Sequence, residues 1–313
     1  MNALLFPGQG SQTIGMGSEF YSSFPIVKKI FDQADAKLNY SISKLILNGP
    51  EDELQLTKNT QPAILTVSFS IFKVLKEEFE FDFQSFNYFA GHSLGEYSAL
   101  VCANSLEFED ALFLLHERGK AMQHAVPIGK GSMIAVLGVK IEDINDLLKL
   151  HNKNNKACEV ANDNAVGQII LSGEKEGIES FKDLLKVKKI KFIPLKVSAP
   201  FHCSLMKPAA SQMEKKINDT NFNKPSIEII NNVNANPESN PSNIKKLLIK
   251  QIYSTVKWRD SIIKMSDKGV KNFIEIGPGK ALSGMVKRTV KDSKTFSVNN
   301  IDDMKNLVYE FQK

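Results

Sequence analysis

Apolar and polar residues come in blocks along this chain, and the blocks change period. Residues 3–6 (ALLF) form an unbroken apolar run closed by Pro7-Gly8, the pattern of a strand buried on both faces. Residues 25–38 carry apolar positions at helical spacing behind Pro25, which suits a first helical turn. Residues 61–79 carry a longer helical pattern, and a second apolar strand, 88–90, ends at Gly91. Helices are predicted to start near Leu94 and Glu107. Strands and helices taken in turn build a mostly parallel sheet covered by helices.

The pattern then shifts. Residues 132–137 (SMIAVL) read as a strand and 141–150 as an amphipathic helix. Two strands, 158–161 and 168–172, are joined by an Asn/Asp/Gly turn, followed by a helix over 174–185 and a strand over 191–197. The order β-α-β-β-α-β is the ferredoxin-like split motif. After Ser198 the first pattern resumes, with a helix at 204–217, a strand at 227–230 and helices at 244–253 and 258–266. A strand at 272–276, the turn Gly277-Pro278-Gly279 and a helix at 281–290 follow, and residues 232–243 read as an Asn/Pro/Ser-rich loop. The expected fold is α/β: a hydrolase-like large domain with a parallel sheet over residues 1–126 and 199–313. A ferredoxin-like small domain, 127–198, is inserted in it.

Composition narrows the function classes. Of 313 residues, 42% are apolar and 24% charged, ordinary for a soluble globular protein. No run reaches the roughly 18 apolar residues of a membrane span. The apolar start lacks a basic leader and is too short for a signal peptide, so a cytoplasmic location is expected. Cys102, Cys158 and Cys203 are far apart without a C-x-x-C pair, which argues against a disulfide framework or a zinc site and for small core residues. The net charge is +5, but no basic stripe interleaved with aromatics and no helix-turn-helix pattern points to nucleic acid. A mildly basic surface suits an acidic protein partner.

The most informative segment is Gly91-His92-Ser93-Leu94-Gly95, a G-x-S-x-G placed after a strand and before a helix. There it makes a nucleophile elbow: the turn strains the serine backbone, small glycines let the chain pass, and the Leu94 amide faces an oxyanion at a helix N-terminus. Serine needs a base, and there are five histidines. His92 adjoins the serine and points elsewhere; His116 and His124 fit a helix surface or core; His151 ends a helix before a polar loop and reads as solvent-exposed. His202, in Ser198-Ala199-Pro200-Phe201-His202-Cys203, returns from the inserted unit and is a candidate base. Asp163 and Asp183 lie inside the insertion, so a backbone carbonyl is the alternative partner for its imidazole.

Six ordered motifs carry a resemblance. They are Phe6-Pro7-Gly8-Gln9-Gly10-Ser11-Gln12, the elbow extended to Glu96-Tyr97, Arg118-Gly119-Lys120-Ala121-Met122, Asn162-Asp163-Asn164 with residues 168–173, Phe201-His202, and residues 274–279. Together they resemble the malonyl-CoA:acyl carrier protein transacylase family of bacterial type II fatty acid synthesis, over essentially the whole chain. The resemblance implies Ser93 as nucleophile, His202 as base, and the amides of Gln9 and Leu94 as oxyanion hole. It implies Arg118 for the malonyl carboxylate, and the Gln251 main-chain carbonyl for orienting the histidine. Asn162, Phe201 and Met122 are implied near the substrate, with Phe201 crowding branched acyl groups. A guanidinium grips a carboxylate with two parallel hydrogen bonds, which lysine does not imitate. Without the family, Arg118 reads as a helix arginine paired with Glu117 or Asp110.

The implied reaction is a ping-pong exchange from malonyl-CoA to an acidic acyl carrier protein, catalysed by a monomer with no metal or bound cofactor. Lys188, Lys189 and Lys191, or Lys287 and Arg288, are candidate carrier contacts. A serine esterase or thioesterase, and a transferase serving a polyketide line, are the rival readings. Nucleotide binding fails because Thr13 and Leu282 occupy the third glycine of G-x-G-x-x-G.

Overall fold

Apolar residues at alternate positions of the first strands fill two cores, one on each face of a sheet. Leu4, Phe6 and Phe89 belong to one core, and Ala3, Leu5 and Ala90 to the other. A strand buried on both faces needs such a run. The computed structural model describes residues 1–127, 129–153, 156–195, 197 and 199–312. In chain order the elements are β1 (Asn2–Phe6), α1 (Ser18–Ser23), α2 (Pro25–Leu38), α3 (Ile42–Asn48), α4 (Glu51–Gln55), α5 (Thr57–Glu77), β2 (Phe86–Gly91), α6 (Gly95–Cys102) and α7 (Phe108–His124). Next come β3 (Gly131–Leu137), α8 (Ile141–His151), β4 (Cys158–Ala165), β5 (Gln168–Glu174), α9 (Lys175–Val187) and β6 (Lys191–Pro194). The chain closes with α10 (Lys207–Asp219), β7 (Glu228–Ile230), β8 (Pro237–Glu238), α11 (Pro241–Gln251), α12 (Trp258–Asp267), β9 (Asn272–Ile276), α13 (Ala281–Thr289), β10 (Lys294–Val298) and α14 (Ile301–Gln312).

The larger sheet has the order β10-β9-β1-β2-β7-β8. Its pairs are parallel except β7 with β8, so the α/β sheet is mixed. From β1 the chain crosses to β2 on one side and later to β9 on the other. Loops beyond the C-terminal ends of such strands part there and leave a crevice.

The smaller sheet has the order β4-β5-β3-β6, all antiparallel. Period two divides its side chains. Ile134, Val136, Ile169 and Leu171 meet Ile144, Leu148, Phe181 and Leu185 of α8 and α9 in a separate core. Met133, Ala135 and Ile170 face the core of the larger unit.

Several expectations need correction. β6 ends at Pro194, shorter than the strand predicted over 191–197, of which residue 196 lies outside the described residues, as does Ser198. The loop predicted at 232–243 contains the two-residue β8 and the start of α11, capped by the Asn240 side chain. No element is predicted after residue 290, yet β10 and α14 lie there. Among the described residues, no helix is long and apolar enough to cross a membrane.

Candidate active site

The β1–β2 pairing sets Phe6 beside Gly91, so the turns that follow these strands, carrying Gln9 and Ser93, share one end of the sheet. Ser93 has φ 54°, left-handed backbone that few non-glycine residues adopt. Gly91 and Gly95 are required on either side. A Cβ on Gly91 would strike the Gly95 carbonyl, and one on Gly95 would strike the Phe6 carbonyl oxygen. Three hydrogen bonds hold the turn. The Ser93 amide donates to Asn232 Oδ1 at 2.7 Å, Asn232 Nδ2 donates to the Gly91 carbonyl at 2.8 Å, and the Asn232 amide donates to Glu96 Oε2 at 3.0 Å.

His202 arrives from the loop before α10, also at positive φ, 56°. Its Nε2 lies 2.8 Å from Ser93 Oγ, and its Nδ1 lies 2.9 Å from the main-chain oxygen of Gln251. A carbonyl only accepts, so Nδ1 carries the proton and Nε2 is left to accept from the serine hydroxyl. Burial, and then the Arg118 charge, pull the His202 pKa down to about 3. The imidazole is therefore neutral near pH 7, the state a general base requires.

Arg118 projects from α7 and is 1% exposed. It donates to Gln61 Oε1 at 2.7 Å, Gln251 Oε1 at 2.8 Å and Ser93 Oγ at 3.1 Å. Its Nε has no partner among the described residues. The alternative partners are taken: Glu117 binds Lys120 and Lys216, and Asp110 approaches Lys37. A buried guanidinium with neutral partners and a spare N–H is matched to an anion that enters from outside.

A cavity of about 270 Å³ opens over Ser93 and Arg118. Gln9, Leu94, Asn162, Phe201, Met122 and His202 all line it, so these expected site residues converge. Gln251 lies behind, touching His202 through its backbone and Arg118 through its side chain. Among the described residues, neither the Gln9 nor the Leu94 amide donates to a protein acceptor.

Sequence reasoning missed Gln61 and Asn232, and gave no role to Asn164 or Glu96, which stand in its motifs. Asn164 Oδ1 lies 2.8 Å from His92 Nε2, which holds that ring aside from Ser93. Asn232 stood in a stretch read as loop, although an Asn pair just past an apolar strand was an available signal.

His151 needs correction. It is 7% exposed, 2.5 Å from Ser180 Oγ and edge-on to Phe181, because α8 packs its last turn against α9. The three cysteines are buried, as expected. Lys188, Lys189 and Lys191 are exposed at the end of α9 and on β6. Arg288 is closer to the site, donating to Gln168 at 2.5 Å on the cavity rim.

Comparison with known proteins follows the same lines. The acyl transferase domain family model matches residues 3–308. A malonyl CoA-acyl carrier protein transacylase of Bacillus subtilis is 44% identical over 95% of this chain and 93% of its own. The crystal structure of an acyl-carrier-protein S-malonyltransferase from Bartonella henselae superposes with a TM-score of 0.96 at 38% identity. That match covers 100% of this chain and 99% of the other. A malonyl-transacylase solved in complex with its type II PKS acyl-carrier protein has a TM-score of 0.94 at 37% identity, covering 99% of each chain.

Proposed function

The chain belongs to the acyl transferase domain family, and we propose that it moves malonyl from malonyl-CoA to the phosphopantetheine thiol of an acyl carrier protein through an ester on Ser93. The observation that carries this reading is the meeting of Ser93 Oγ with two groups, the His202 base at 2.8 Å and the buried Arg118 at 3.1 Å. The first contact suits any serine acyl enzyme, and the second suits an acyl group that carries a free carboxylate.

Ser93 stands on a nucleophile elbow, as its positive φ and flanking glycines support. The small unit is a ferredoxin-like insertion over residues 127–198, in a catalytic domain formed by 1–126 and 199–313. Its strand order and separate helix-facing core support that division.

In the first half-reaction His202 Nε2 takes the Ser93 proton as Oγ attacks the thioester carbonyl. The Gln9 and Leu94 amides bind the resulting oxyanion, helped by the N-terminus of α6. The tetrahedral intermediate collapses, the carbon–sulfur bond breaks, and coenzyme A leaves with the proton from His202. In the second, His202 takes the carrier thiol proton, the sulfur attacks the ester, and Ser93 regains its proton. Arg118 holds the malonyl carboxylate throughout, and Asn162, Phe201 and Met122 shape the space around the acyl chain. The product supplies fatty acid synthesis.

The test is intact mass and peptide mapping after mixing with malonyl-CoA or acetyl-CoA. A malonyl adduct on Ser93, scarce with acetyl-CoA and passed on to added carrier protein, is expected. Release of free malonate without carrier-bound product would turn the reading to a thioesterase.

A further inference from the structure

We propose that Glu96 is the counter-charge of Arg118, coupled to it through the side-chain amide of Gln251, and that arrival of a malonyl carboxylate on Arg118 drives proton uptake by Glu96. The inference rests on the reading of Arg118 as the malonyl carboxylate site.

Glu96 lies in the first turn of α6 and is 2% exposed. Its Oε2 accepts from Gln251 Nε2 at 2.8 Å and from the Asn232 amide at 3.0 Å. On its other side the same Gln251 amide accepts from Arg118 at 2.8 Å. The orientation of that amide is forced, since a guanidinium only donates and a carboxylate only accepts. One side chain thus links a buried acid to a buried cation, with no direct ion pair between them.

Elements packed against α6 are β1, β2, α5, α7 and β7, and the end of α11 reaches Glu96 through Gln251, with Lys250 beside it exposed. Among the described residues, the charged group acting on Glu96 is Arg118 of α7. Tyr97 beside it on α6 is pushed up to about 12 by burial and stays protonated. Lys73 and Lys76 of α5 act on Cys102 at the far end of α6, Glu228 of β7 is exposed, and Tyr88 of β2 lies in the core on the other face of the sheet. The charges of Arg118 and His92 act on His202, and neither histidine acts on Glu96.

Burial pushes the Glu96 carboxyl up to about 7, while the Asn232 and Gln251 hydrogen bonds and the Arg118 charge pull it down. A malonyl carboxylate on Arg118 offsets that last pull. Ionised Glu96 is then less favourable, and it takes a proton from solvent. By linkage, a state that binds an extra proton loses ground as pH rises. Below about pH 7 Glu96 is protonated in both states and the effect vanishes.

The experiment measures the ratio of malonyl-enzyme to free enzyme by intact mass, at fixed malonyl-CoA and coenzyme A, from about pH 6 to about pH 9. In the wild type the ratio falls with rising pH by about tenfold. In Glu96→Gln, whose amide oxygen can accept both bonds made to Oε2, it is flat and exceeds the wild-type ratio at the alkaline end. A flat wild-type profile, or parallel falls in both proteins, overturns the proposal. A second readout does not depend on the variant folding: a pH indicator in weak buffer, as wild type is mixed with malonyl-CoA at mildly alkaline pH. Malonyl-enzyme formed without proton uptake overturns the coupling alone. Absence of any malonyl adduct instead overturns the carboxylate reading of the site, and this proposal with it.

Discussion

The two walls of the cavity differ in kind. The wall from the larger sheet brings Ser93, His202 and Arg118, with two residues at positive φ and glycines packed against carbonyls. The wall from the smaller sheet and the segment after it brings Met133, Asn162, Asn164, Gln168, Ile170, Leu195 and Val197, none of them ionisable. Strained backbone is kept where surrounding structure over-determines it, and the hydrogen bonds of Asn232 and Gln251 do so on one wall only. The groups proposed for the chemistry thus come from the turn after β2, from α7 and from the loop before α10. The antiparallel unit supplies shape, amide groups and exclusion of water.

Substitutions on each wall sharpen this contrast. The largest effect is expected from Ser93→Ala, with no covalent adduct and transfer lower by on the order of 10⁴-fold. Residual adduct on another residue would break the assignment. Arg118→Lys keeps the charge and loses the fork, so kcat/KM for malonyl-CoA should fall by about 10²-fold while the preference over acetyl-CoA narrows. An unchanged preference would move carboxylate recognition elsewhere.

Acid separates the walls next. The His202 pKa is depressed in the folded state to about 3, so the neutral base survives as pH falls. The rate of Ser93 acylation should stay free of a His202 limb until pH approaches that value, as read by quenched-flow mass measurement. The same depression is a stability term. It is fully present above the ordinary histidine range and is lost as pH falls toward 3, because the unfolded chain binds the proton first. Urea unfolding at neutral and acid pH should show a smaller acid loss in His202→Ala than in wild type. Equal losses would refute the term.

The smallest effect on chemistry is expected on the other wall. Ile170→Ala removes buried volume, costing about 2–4 kcal/mol in stability, while kcat for malonyl-enzyme formation changes by less than about tenfold. A larger drop in kcat at retained stability would place the antiparallel wall in the chemistry.

Much of this was legible in the chain. The period of apolar residues located the two sheets, and α2 and β9 have the predicted bounds. Short or half-buried elements were not legible. α1, α3 and α4 span five to seven residues, too few to establish a period. β10 has half-buried positions at the sheet edge, so its alternation is weak. α14 does carry a helical stripe, Met304, Leu307 and Val308, a signal present in the sequence. In the site, the serine motif, His202 and Arg118 were visible as residue types in ordered motifs. The exposure expected for His151 failed because the packing of α8 on α9 covers its ring.

By itself, the sequence determined the longer elements, the sharp turn at Ser93 and the residue types available for the proposed acyl transfer. Those depend on backbone geometry within a few residues, where glycine, proline and apolar period act directly. Only the tertiary structure decided which nitrogen of His202 holds the proton, why Arg118 has no acid in contact among the described residues, and how Gln251 links it to Glu96. These contacts join residues 49 to 155 positions apart. Sequence spacing carries no distance at that range; the sheet order and the return of the chain from the small unit bring the groups together.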